Sequence, residues 1–514
     1  MLLRDLIHEF RPELIQGQLD RPVRGLAYEV ERVAPEMAFF AVRRTGRDGH
    51  DEVIEAIRRG ALAVIGERTG LVPPRAANIR VRDSRQAMAR AASAYYGHPA
   101  SRLRVLGLTG DGDLPGLAWV LRETLALAGE SSGLIGSLRH AAGPHEFAPR
   151  PAGDESLDVQ RMLASMARSG EATCVMELGP TAHRHGWTAG LRLATLIEVR
   201  EVPAADPEAS GLSDVHPRFC DGSASLDSMG EAGADGMTTG EPDGASLTAR
   251  RCLRIELQAG AEWQVRLSGN ALAGAQSFRV DRFATNLEGS SCRIAGPEGS
   301  WRLRCALPGW QNQRRVVLAA LIARALGTDA TAIGRAVRRL EPVPGSLVPV
   351  RGNQPFAVLV DAAREAAALG TLLRDVRRLR PRRILLLMGA EEGTSIAERE
   401  ALGRVAGALA DQAIITSNNP RCEPPAAIAR AVRRGAALGA RASVAFEPNR
   451  VRAIQALLAL AGPGDAVLLT GKGHRTTEEA DHCVTPFDDH AHALRALEAL
   501  GWRRAGAASR SRRP

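Results

Sequence analysis

The feature that most constrains the fold is a repeated alternation of apolar, strand-like runs with helical segments in the last third of the chain. Five such runs occur, at Ala357–Asp361, Arg383–Met388, Gln412–Thr416, Ala442–Phe446 and Ala466–Thr470. Short apolar runs are typical of strands buried on both faces, and strands that alternate with helices form parallel sheets. The sequence therefore predicts a doubly wound, Rossmann-like α/β domain over residues 341–503.

A second strand-and-helix pattern opens the middle of the chain. The apolar run Leu103–Gly110 enters a glycine-rich turn, and the helical segment Leu117–Ala128 follows it. A buried strand, a glycine turn and a helix in that order begin a nucleotide-binding type of βαβ unit. We therefore expect a central α/β domain over residues 102–340, with a helix at Val316–Leu326 near its end.

The first hundred residues have the pattern of a smaller α/β unit. Met37–Val42 and Ala61–Ile65 are apolar runs typical of strands, and Glu52–Arg59 between them is helical in pattern. These elements predict an N-terminal domain over residues 1–101.

Two segments lack the apolar periodicity of a packed element. Residues 201–246 hold ten acidic residues and one arginine, Arg218, among many Gly, Ala, Ser and Pro residues, and order is expected to resume at Cys252–Leu257. The tail 504–514 is basic and rich in Ser and Ala. We expect a flexible acidic insert within the central domain and a disordered basic tail.

Composition excludes several classes of protein. Hydrophobic residues make up 45% of the chain, which is enough for real cores, but no apolar run is long enough to span a membrane. The seven cysteines form no CxxC pair, so neither a zinc ribbon nor a disulfide framework is indicated. The net charge of +9 is spread along the chain, which argues against a nucleic-acid partner. The N-terminus lacks the apolar core of a signal peptide, so we predict a cytoplasmic protein.

Lysine is almost absent from the chain. Of 67 basic residues, Lys472 alone is a lysine. A chemical role that needs a lysine is therefore restricted to position 472.

A series of short motifs falls in a defined order along the chain. They are Phe39-Phe40-Ala41, Asp48-Gly49-His50, Val175-Met176-Glu177, Leu307-Pro308-Gly309, Val343-Pro344-Gly345, Thr416–Glu423 and Gly471-Lys472-Gly473-His474. In order and spacing they resemble the motifs of the Mur ligases, most of all those of the UDP-N-acetylmuramoyl-tripeptide synthetases. The resemblance covers almost the whole chain. It implies three α/β domains: an N-terminal domain for a UDP-linked substrate, a central P-loop ATPase domain and a C-terminal domain for the incoming amino acid.

The P-loop of that family, T-G-T-N-G-K-T-[ST], is altered here. The chain reads Thr109-Gly110-Asp111-Gly112-Asp113-Leu114-Pro115-Gly116. A P-loop cradles phosphates with backbone N–H groups and a lysine, and its Ser/Thr hydroxyl binds magnesium. Leucine and glycine now stand at those two positions, and two aspartates are added. We therefore expect a degenerate nucleotide site and no cofactor, although the family would use ATP and Mg²⁺.

The metal-binding residues of the family are altered as well. Glu177 stands where the resemblance implies a metal-binding glutamate, but the family's carbamylated lysine has no counterpart before position 472. We expect Glu177 to be vestigial, with no metal bound and no catalytic residue assigned. His183 and His185 suggest a metal site, but residues two apart on a helix diverge, so we prefer surface histidines. In the first domain, Glu29-Val30-Glu31 replaces the family's D-S-R and adds acid where an anionic UDP-sugar would bind.

The C-terminal motifs are the closest to the family pattern. The resemblance implies that Arg421 grips a carboxylate of the amino acid, but the family's glutamate after G-K-G-H is Arg475 here, and its aspartate is Asn418. Exchanging an acid for a cation favours a multiply anionic ligand. The expected ligand-binding residues are Asn419, Pro420, Arg421, Lys472, His474 and Arg475. The alternative is that Asn418–Arg421 is a helix-capping turn kept for folding.

Two functions are consistent with these residues. The first is a catalytically impaired Mur ligase homologue that binds or scaffolds in peptidoglycan or related biosynthesis, with other cell-wall proteins or an active Mur paralogue as partners. The alternative is an active ATP-dependent amide ligase with a rebuilt nucleotide site. That ligase needs a cation near Asp111–Gly116, and the sequence offers only distant arginines.

Overall fold

Three β-sheets lie in succession along the chain in this computed structural model. The structure describes residues 1–68, 72–150, 153–179, 182, 184–202, 229–230, 237–239, 247–260, 262–439 and 441–502. The strands of the three sheets fall within residues 14–80, 104–305 and 348–470. No helix in these ranges is long and apolar enough to cross a membrane.

The first sheet has five strands and is covered by short helices. Its elements and a small hairpin are α1 (Leu3–Ile7), β1 (Leu14–Gln16), β2 (Gly25–Ala27), β3 (Met37–Phe40), β4 (Arg43–Arg44), β5 (Arg47–Asp48), α2 (Val53–Arg58), β6 (Ala63–Gly66), β7 (Ala77–Arg80) and α3 (Ser84–Tyr95). The strand order is β1-β7-β6-β3-β2. Phe39 and Phe40 are fully buried on opposite faces of β3, which fixes the strand between two apolar clusters.

The second sheet joins a parallel half to an antiparallel half. Its strands are β8 (Arg104–Gly110), β9 (Ser132–Ile135), β10 (His140–Ala142), β11 (His145–Phe147), β12 (Thr173–Glu177), β13 (Arg192–Val202), β14 (Met229–Gly230), β15 (Met237–Thr239), β16 (Leu247–Gln258), β17 (Trp263–Ser268), β18 (Gln276–Thr285), β19 (Ser290–Gly296) and β20 (Gly299–Cys305). Its helices are α4 (Leu114–Leu127), α5 (Ser156–Arg168), α6 (Trp310–Ala325) and α7 (Ala330–Val337). Strand β8 lies between the parallel strands β12 and β13, so the turn that follows it emerges at the carboxyl edge of the parallel half.

The third sheet is the doubly wound one. Its elements, with a following hairpin, are β21 (Val348–Pro349), β22 (Ala357–Asp361), α8 (Ala366–Arg378), β23 (Ile384–Met388), α9 (Ile396–Leu409), β24 (Gln412–Ile415), α10 (Pro425–Ala437), β25 (Ser443–Phe446), α11 (Arg450–Ala459), β26 (Ala466–Thr470), β27 (Thr477–Ala480), β28 (Cys483–Pro486) and α12 (Asp489–Ala499). The order is β21-β22-β26-β23-β24-β25, and all neighbours from β22 to β25 are parallel. The sequence-predicted strands of this domain are confirmed to within one residue at each end.

Several expected boundaries were wrong. Order was expected to resume at Cys252, but strand β16 already begins at Leu247. Helix α4 begins at Leu114, three residues before the predicted start, and strand β13 continues through Val202, into the predicted insert. Helix α6 begins at Trp310, six residues early, because the Asp375 carboxylate accepts hydrogen bonds from the N–H groups of Trp310 and Gln311. Within 201–246, β14 and β15 form a short hairpin beside β16, and the rest of that segment and the tail 504–514 lie outside the described residues.

Candidate nucleotide turn and ligand loops

The turn between β8 and α4 is closed by a protein carboxylate. Asp113 is the N-cap of α4, and its Oδ1 accepts a hydrogen bond from the Gly116 N–H at 3.1 Å. The N–H groups at the start of a helix are the groups that bind a phosphate in a P-loop. In this chain the Asp113 side chain therefore occupies part of the anion site that the turn would offer.

Arg315, from helix α6, holds that carboxylate in place. Its guanidinium forms an ion pair with Asp113 and donates to Asn312 Oδ1 at 2.6 Å and to Ser346 Oγ at 2.8 Å. The residue is 6% exposed. Because Ser346 lies in the segment that leads into the third sheet, Arg315 links the turn to the start of the C-terminal domain.

Positions 114 and 116 lack the functional groups that the family has there, and position 116 has no room for a side chain. Leu114 is 7% exposed and its side chain is buried, whereas the family's lysine reaches the phosphates. A Cβ atom at Gly116 would collide with the Arg315 guanidinium and with the Asp113 carboxylate. A serine or threonine hydroxyl at position 116 would therefore require both groups to move.

The prediction that only distant arginines are available to the turn was wrong, because two arginines that are distant in sequence lie close to it in the fold. Arg314 forms an ion pair with Glu201, both groups lie against Gly112, and Arg315 lies on Asp113. The nearby Asp111 carboxylate accepts a hydrogen bond from the Glu201 N–H at 3.3 Å. Two cations are thus present at the turn.

These groups do not fit ATP with Mg²⁺ in the manner of a P-loop. Asp111, Asp113 and Glu201 supply three carboxylates at the turn, and Arg314 and Arg315 supply two guanidinium groups, each already paired with an acid. A phosphate at the turn would meet three carboxylates and two guanidinium groups that already pair with two of them.

Glu177 ends β12 and is held by a neighbouring loop. Its carboxylate accepts hydrogen bonds from Ser137 N at 2.8 Å and from Ser137 Oγ at 2.9 Å. Burial raises the pKa of Glu177, and the Ser137 hydrogen bonds oppose that rise. In the described ranges, no three His, Cys, Asp or Glu side chains are grouped so that they could hold a metal ion.

His185 is not a surface histidine. Its Nδ1 lies 3.0 Å from Glu155 Oε1, and Glu155 is buried and also accepts two hydrogen bonds from Arg85. No local pattern predicts this contact, because thirty residues separate the pair. His183 lies outside the described residues.

The acid added to the first domain is neutralised by arginine. Both Glu29 carboxylate oxygens accept hydrogen bonds from Arg150 Nη2, at 2.6 and 2.7 Å, and Arg32 forms a further ion pair with Glu29. The unfavourable negative charge expected at Glu29 is therefore compensated. Arg150 was missed because it lies 121 residues further along the chain.

The two C-terminal ligand loops meet at the carboxyl ends of their strands, and Lys472 joins them. Its Nζ donates to Asn419 Oδ1 at 2.9 Å and to the Thr477 carbonyl at 3.0 Å, and lies 5.1 Å from the centre of the Phe487 ring. The side chain is 1% exposed, and burial lowers the pKa of Lys472 to about 8. The ammonium group of Lys472 therefore forms hydrogen bonds that hold the two loops together.

The structure does not bring Arg421, Arg475 and Lys472 together as three free cations. Arg421 Nε donates to Glu479 Oε2 at 2.6 Å on a side chain that is 48% exposed, and Arg475 forms an ion pair with Glu391. Asn419 and Arg421 both have φ of 48°, with the buried Pro420 between them, and Asn419 Oδ1 also accepts from the Glu479 N–H. These contacts favour the alternative that the Asn418–Arg421 turn serves folding.

His474, one of the six expected ligand-binding residues, has a ring nitrogen without a hydrogen-bond partner among the described residues. Its Nδ1 is buried, lies close to Gly345, and has no hydrogen-bond partner among the described residues. Burial lowers the pKa of His474, and the positive charges of Arg475, Arg139 and Arg364 lower it further.

Comparison with known proteins gives the family. The family described as Mur ligase, glutamate ligase domain, matches residues 338–473. A UDP-N-acetylmuramyl-tripeptide synthetase of Roseiflexus sp. is 30% identical over 518 residues, covering 96% of this chain and 99% of the relative. The chain belongs to the Mur ligase family. The family resemblance inferred from the motifs is confirmed.

Other Mur ligases are similar to this chain over almost its whole length. A UDP-N-acetylmuramoyl-L-alanyl-D-glutamate–2,6-diaminopimelate ligase of Geobacter metallireducens is 28% identical and covers 98% of this chain and 100% of its own. The solved structure of a ligase of the same name superposes with a TM-score of 0.58 at 17% identity, covering 98% of this chain and 99% of that one. The likeness confirms the α/β Mur ligase fold expected from the sequence.

The buried lysine of this Mur ligase homologue gives a pH prediction. A lysine whose pKa falls to about 8 on folding, from 10.5, opposes folding while it is charged, and the penalty is relieved as the pH rises through that window. The free energy of unfolding of wild type relative to Lys472→Met should therefore increase between pH 8 and 10.5. Chemical denaturation at several pH values measures it. All other titrating groups are common to the two proteins, so their contributions cancel in the difference, and a flat difference would contradict the prediction.

Proposed function

We propose that this Mur ligase homologue binds a ligand in peptidoglycan or related cell-wall biosynthesis without carrying out ATP-dependent ligation. The observation that carries the proposal is the capping of α4 by Asp113, whose carboxylate is also paired with Arg315. A phosphate would compete with a resident anion for the same N–H groups.

The electrostatic cost of that competition is large enough to matter. Each contact between like charges at about 4 Å costs roughly 1–4 kcal/mol, from bulk water to an effective dielectric constant of 20. The turn has three carboxylates, and its guanidinium groups are already paired. Binding a triphosphate therefore has to offset the repulsion and to compete with carboxylates that already pair with the two guanidinium groups.

A ligation assay tests the proposal. The purified chain is mixed with ATP and Mg²⁺ and with 2,6-diaminopimelate and UDP-N-acetylmuramoyl-L-alanyl-D-glutamate, the last two being the compounds in the name of a relative. We expect no ADP and no tripeptide product above background, and no saturable ATP binding by calorimetry at millimolar nucleotide. The Geobacter metallireducens ligase in the same buffer is the positive control. Product formation by the wild-type chain would refute the proposal.

The second candidate is an active ATP-dependent ligase with a rebuilt nucleotide site. The comparisons support this candidate more strongly than the first, because relatives matched over nearly the whole chain are named as ligases. Arg314 and Arg315 at the turn are the specific observation in its favour, since they supply cations where the family has a lysine. Under this candidate, Arg314→Gln lowers ATP binding and product formation together, whereas Arg351→Gln, at an exposed site in another domain, leaves both unchanged.

As partners of the non-ligating protein we propose other cell-wall synthesis proteins or an active Mur paralogue, in the cytoplasm. Affinity capture of the full chain from its own cells, followed by mass spectrometry, identifies them. A specific enrichment of Mur enzymes supports this assignment, and enrichment of unrelated proteins alone would contradict it.

A further inference from the structure

Strand β25 is the outer edge of the third sheet. It pairs with β24 in parallel, and in the described ranges no strand pairs with its other side. The Glu447 N–H, just after the strand, donates to the Ile415 carbonyl of β24 at 3.0 Å. Because backbone groups alternate in direction along a strand, Val444 and Phe446 present their N–H and C=O groups to the free side. Strand β25 therefore offers hydrogen-bonding groups for one further strand.

A groove of about 500 Å³ lies between helix α10 and the end of β25. It is lined by Ala426, Ala429, Arg430, Arg433, Arg434 and Phe446. The alanines and the Phe446 ring supply apolar surface, and the three arginines stand on neighbouring turns of α10. Phe446 belongs both to the groove and to the free strand edge, so the two features are continuous.

The groove is cationic. Arg430 and Arg433 are exposed, and the described residues offer neither guanidinium group an ion pair or a hydrogen bond. Arg434 is paired with Glu400, at 3.0 Å from its Nε. Helix α10 has three arginines and no acidic residue. The unpaired positive charge beside the strand edge favours an anionic partner.

We propose that the groove and the free edge of β25 together bind an extended acidic segment of a partner protein, which adds to the third sheet as a further strand. Backbone hydrogen bonds to Val444 and Phe446 hold the segment, as in other cases of strand addition. Neighbouring strands lie about 4.8 Å apart and their side chains alternate between faces, so every second side chain of the segment lies on the α10 side. A glutamate there places its carboxylate within reach of Arg430 or Arg433, and guanidinium groups bind carboxylates well.

The inference goes beyond the proposed function. No residue of the groove belongs to the P-loop turn, and none belongs to the Asn418–Arg421 turn or to the Gly471–His474 loop. Binding of the segment is therefore measured without ATP, and the result does not depend on whether the chain ligates.

Fluorescence anisotropy tests the proposal with the full chain and a labelled peptide in which glutamate and valine alternate. We expect saturable binding that weakens as salt is added, and no binding of the matched peptide in which lysine replaces glutamate. In Arg430→Gln/Arg433→Gln, the affinity should fall by about tenfold, because both unpaired guanidinium groups are lost. The matched control Arg351→Gln/Arg374→Gln removes two exposed arginines of the same domain that lie outside the groove, and it should bind like wild type.

A second variant tests the strand addition itself. Proline in place of Val444 removes an N–H group that faces the free side, and proline is tolerated at such positions of edge strands. Val444→Pro should therefore still unfold cooperatively on heating but should lose peptide binding. Amide hydrogen exchange of wild type gives the same test without a substitution, because the Val444 and Phe446 amides should exchange more slowly when the peptide is bound.

Three results would overturn the proposal. One is no binding of the glutamate peptide, or equal binding by wild type and Arg430→Gln/Arg433→Gln. Another is binding that leaves the Val444 and Phe446 amides unprotected, or that Val444→Pro keeps in full, because the groove would then take an acidic ligand without a new strand. The third is dimerisation of wild type that Val444→Pro abolishes, which would assign the edge to a second copy of this chain.

Discussion

Replacing Arg450 by methionine is expected to lower the free energy of unfolding by about 3–5 kcal/mol, the usual cost of removing one partner of a buried ion pair. Arg450 and Asp489 are almost completely buried, and their two hydrogen bonds measure 2.6 and 2.8 Å. Methionine fills much of the same volume but leaves the Asp489 carboxylate without its cation. Chemical denaturation followed by circular dichroism measures the loss.

Arg450 also determines the position of both ligand loops. Its guanidinium donates to the Ser417 carbonyl at 3.2 Å and to the Thr470 carbonyl at 2.8 Å, the residues just before the Asn418–Arg421 turn and the Gly471–His474 loop. The double variant Arg450→Met/Asp489→Leu removes the unpaired charge and should recover part of the stability. A single variant as stable as wild type would show that the pair contributes little.

The sequence predicted those parts of the fold that depend on local pattern. Five of the six strands of the third sheet are short, mainly apolar runs that lie where the pattern placed them, and the two-residue strand β21 was not predicted. The start of α6 was missed because its cap, Asp375, is 65 residues away. A cap supplied by another helix leaves no signal near the residues that it caps.

The sequence showed which P-loop groups are missing from the site, but not which residues take their place. The missing lysine and hydroxyl of the P-loop can be read directly from Leu114 and Gly116. Arg315, which pairs with Asp113 across 202 residues, is one of 66 arginines and has no local feature that distinguishes it. The same holds for Arg450, which pairs with Asp489. Long-range ion pairs depend on tertiary structure, so the sequence of an arginine-rich chain does not show which of its arginines make them.

Replacing Arg315 by methionine should likewise destabilise the protein strongly, by about 3 kcal/mol, near the lower end of the range for buried pairs because Asp113 is about a quarter exposed. The variant leaves Asp113 unpaired at the turn and also withdraws a positive charge from Asp361. Burial already raises the pKa of Asp361 to about 6, and Arg315 opposes that rise. Without the arginine, the pKa of Asp361 should rise further.

This predicts a pH dependence with a definite sign. A carboxyl group whose pKa is raised on folding opposes folding while it is ionised, and the penalty is relieved as the pH falls through the folded-state value toward the unfolded one. The deficit of Arg315→Met relative to wild type should therefore be larger at pH 8 than at pH 5. Denaturation at both values measures it, with Arg314→Met as the neighbouring control, whose ion pair with Glu201 does not involve Asp113 or Asp361.

The same variant separates the two candidate functions. One possibility is that Asp113 blocks the turn and that Arg315 only holds Asp113 there. The double variant Arg315→Met/Asp113→Asn is then more stable than Arg315→Met, and no form of the chain gives product in the ligation assay. If Arg315 instead serves as the phosphate-binding cation of a rebuilt site, wild type binds ATP and forms product, and both activities fall in Arg315→Met under conditions where the variant is folded. ATP binding by wild type that persists unchanged in Arg315→Met would exclude this arginine from either role.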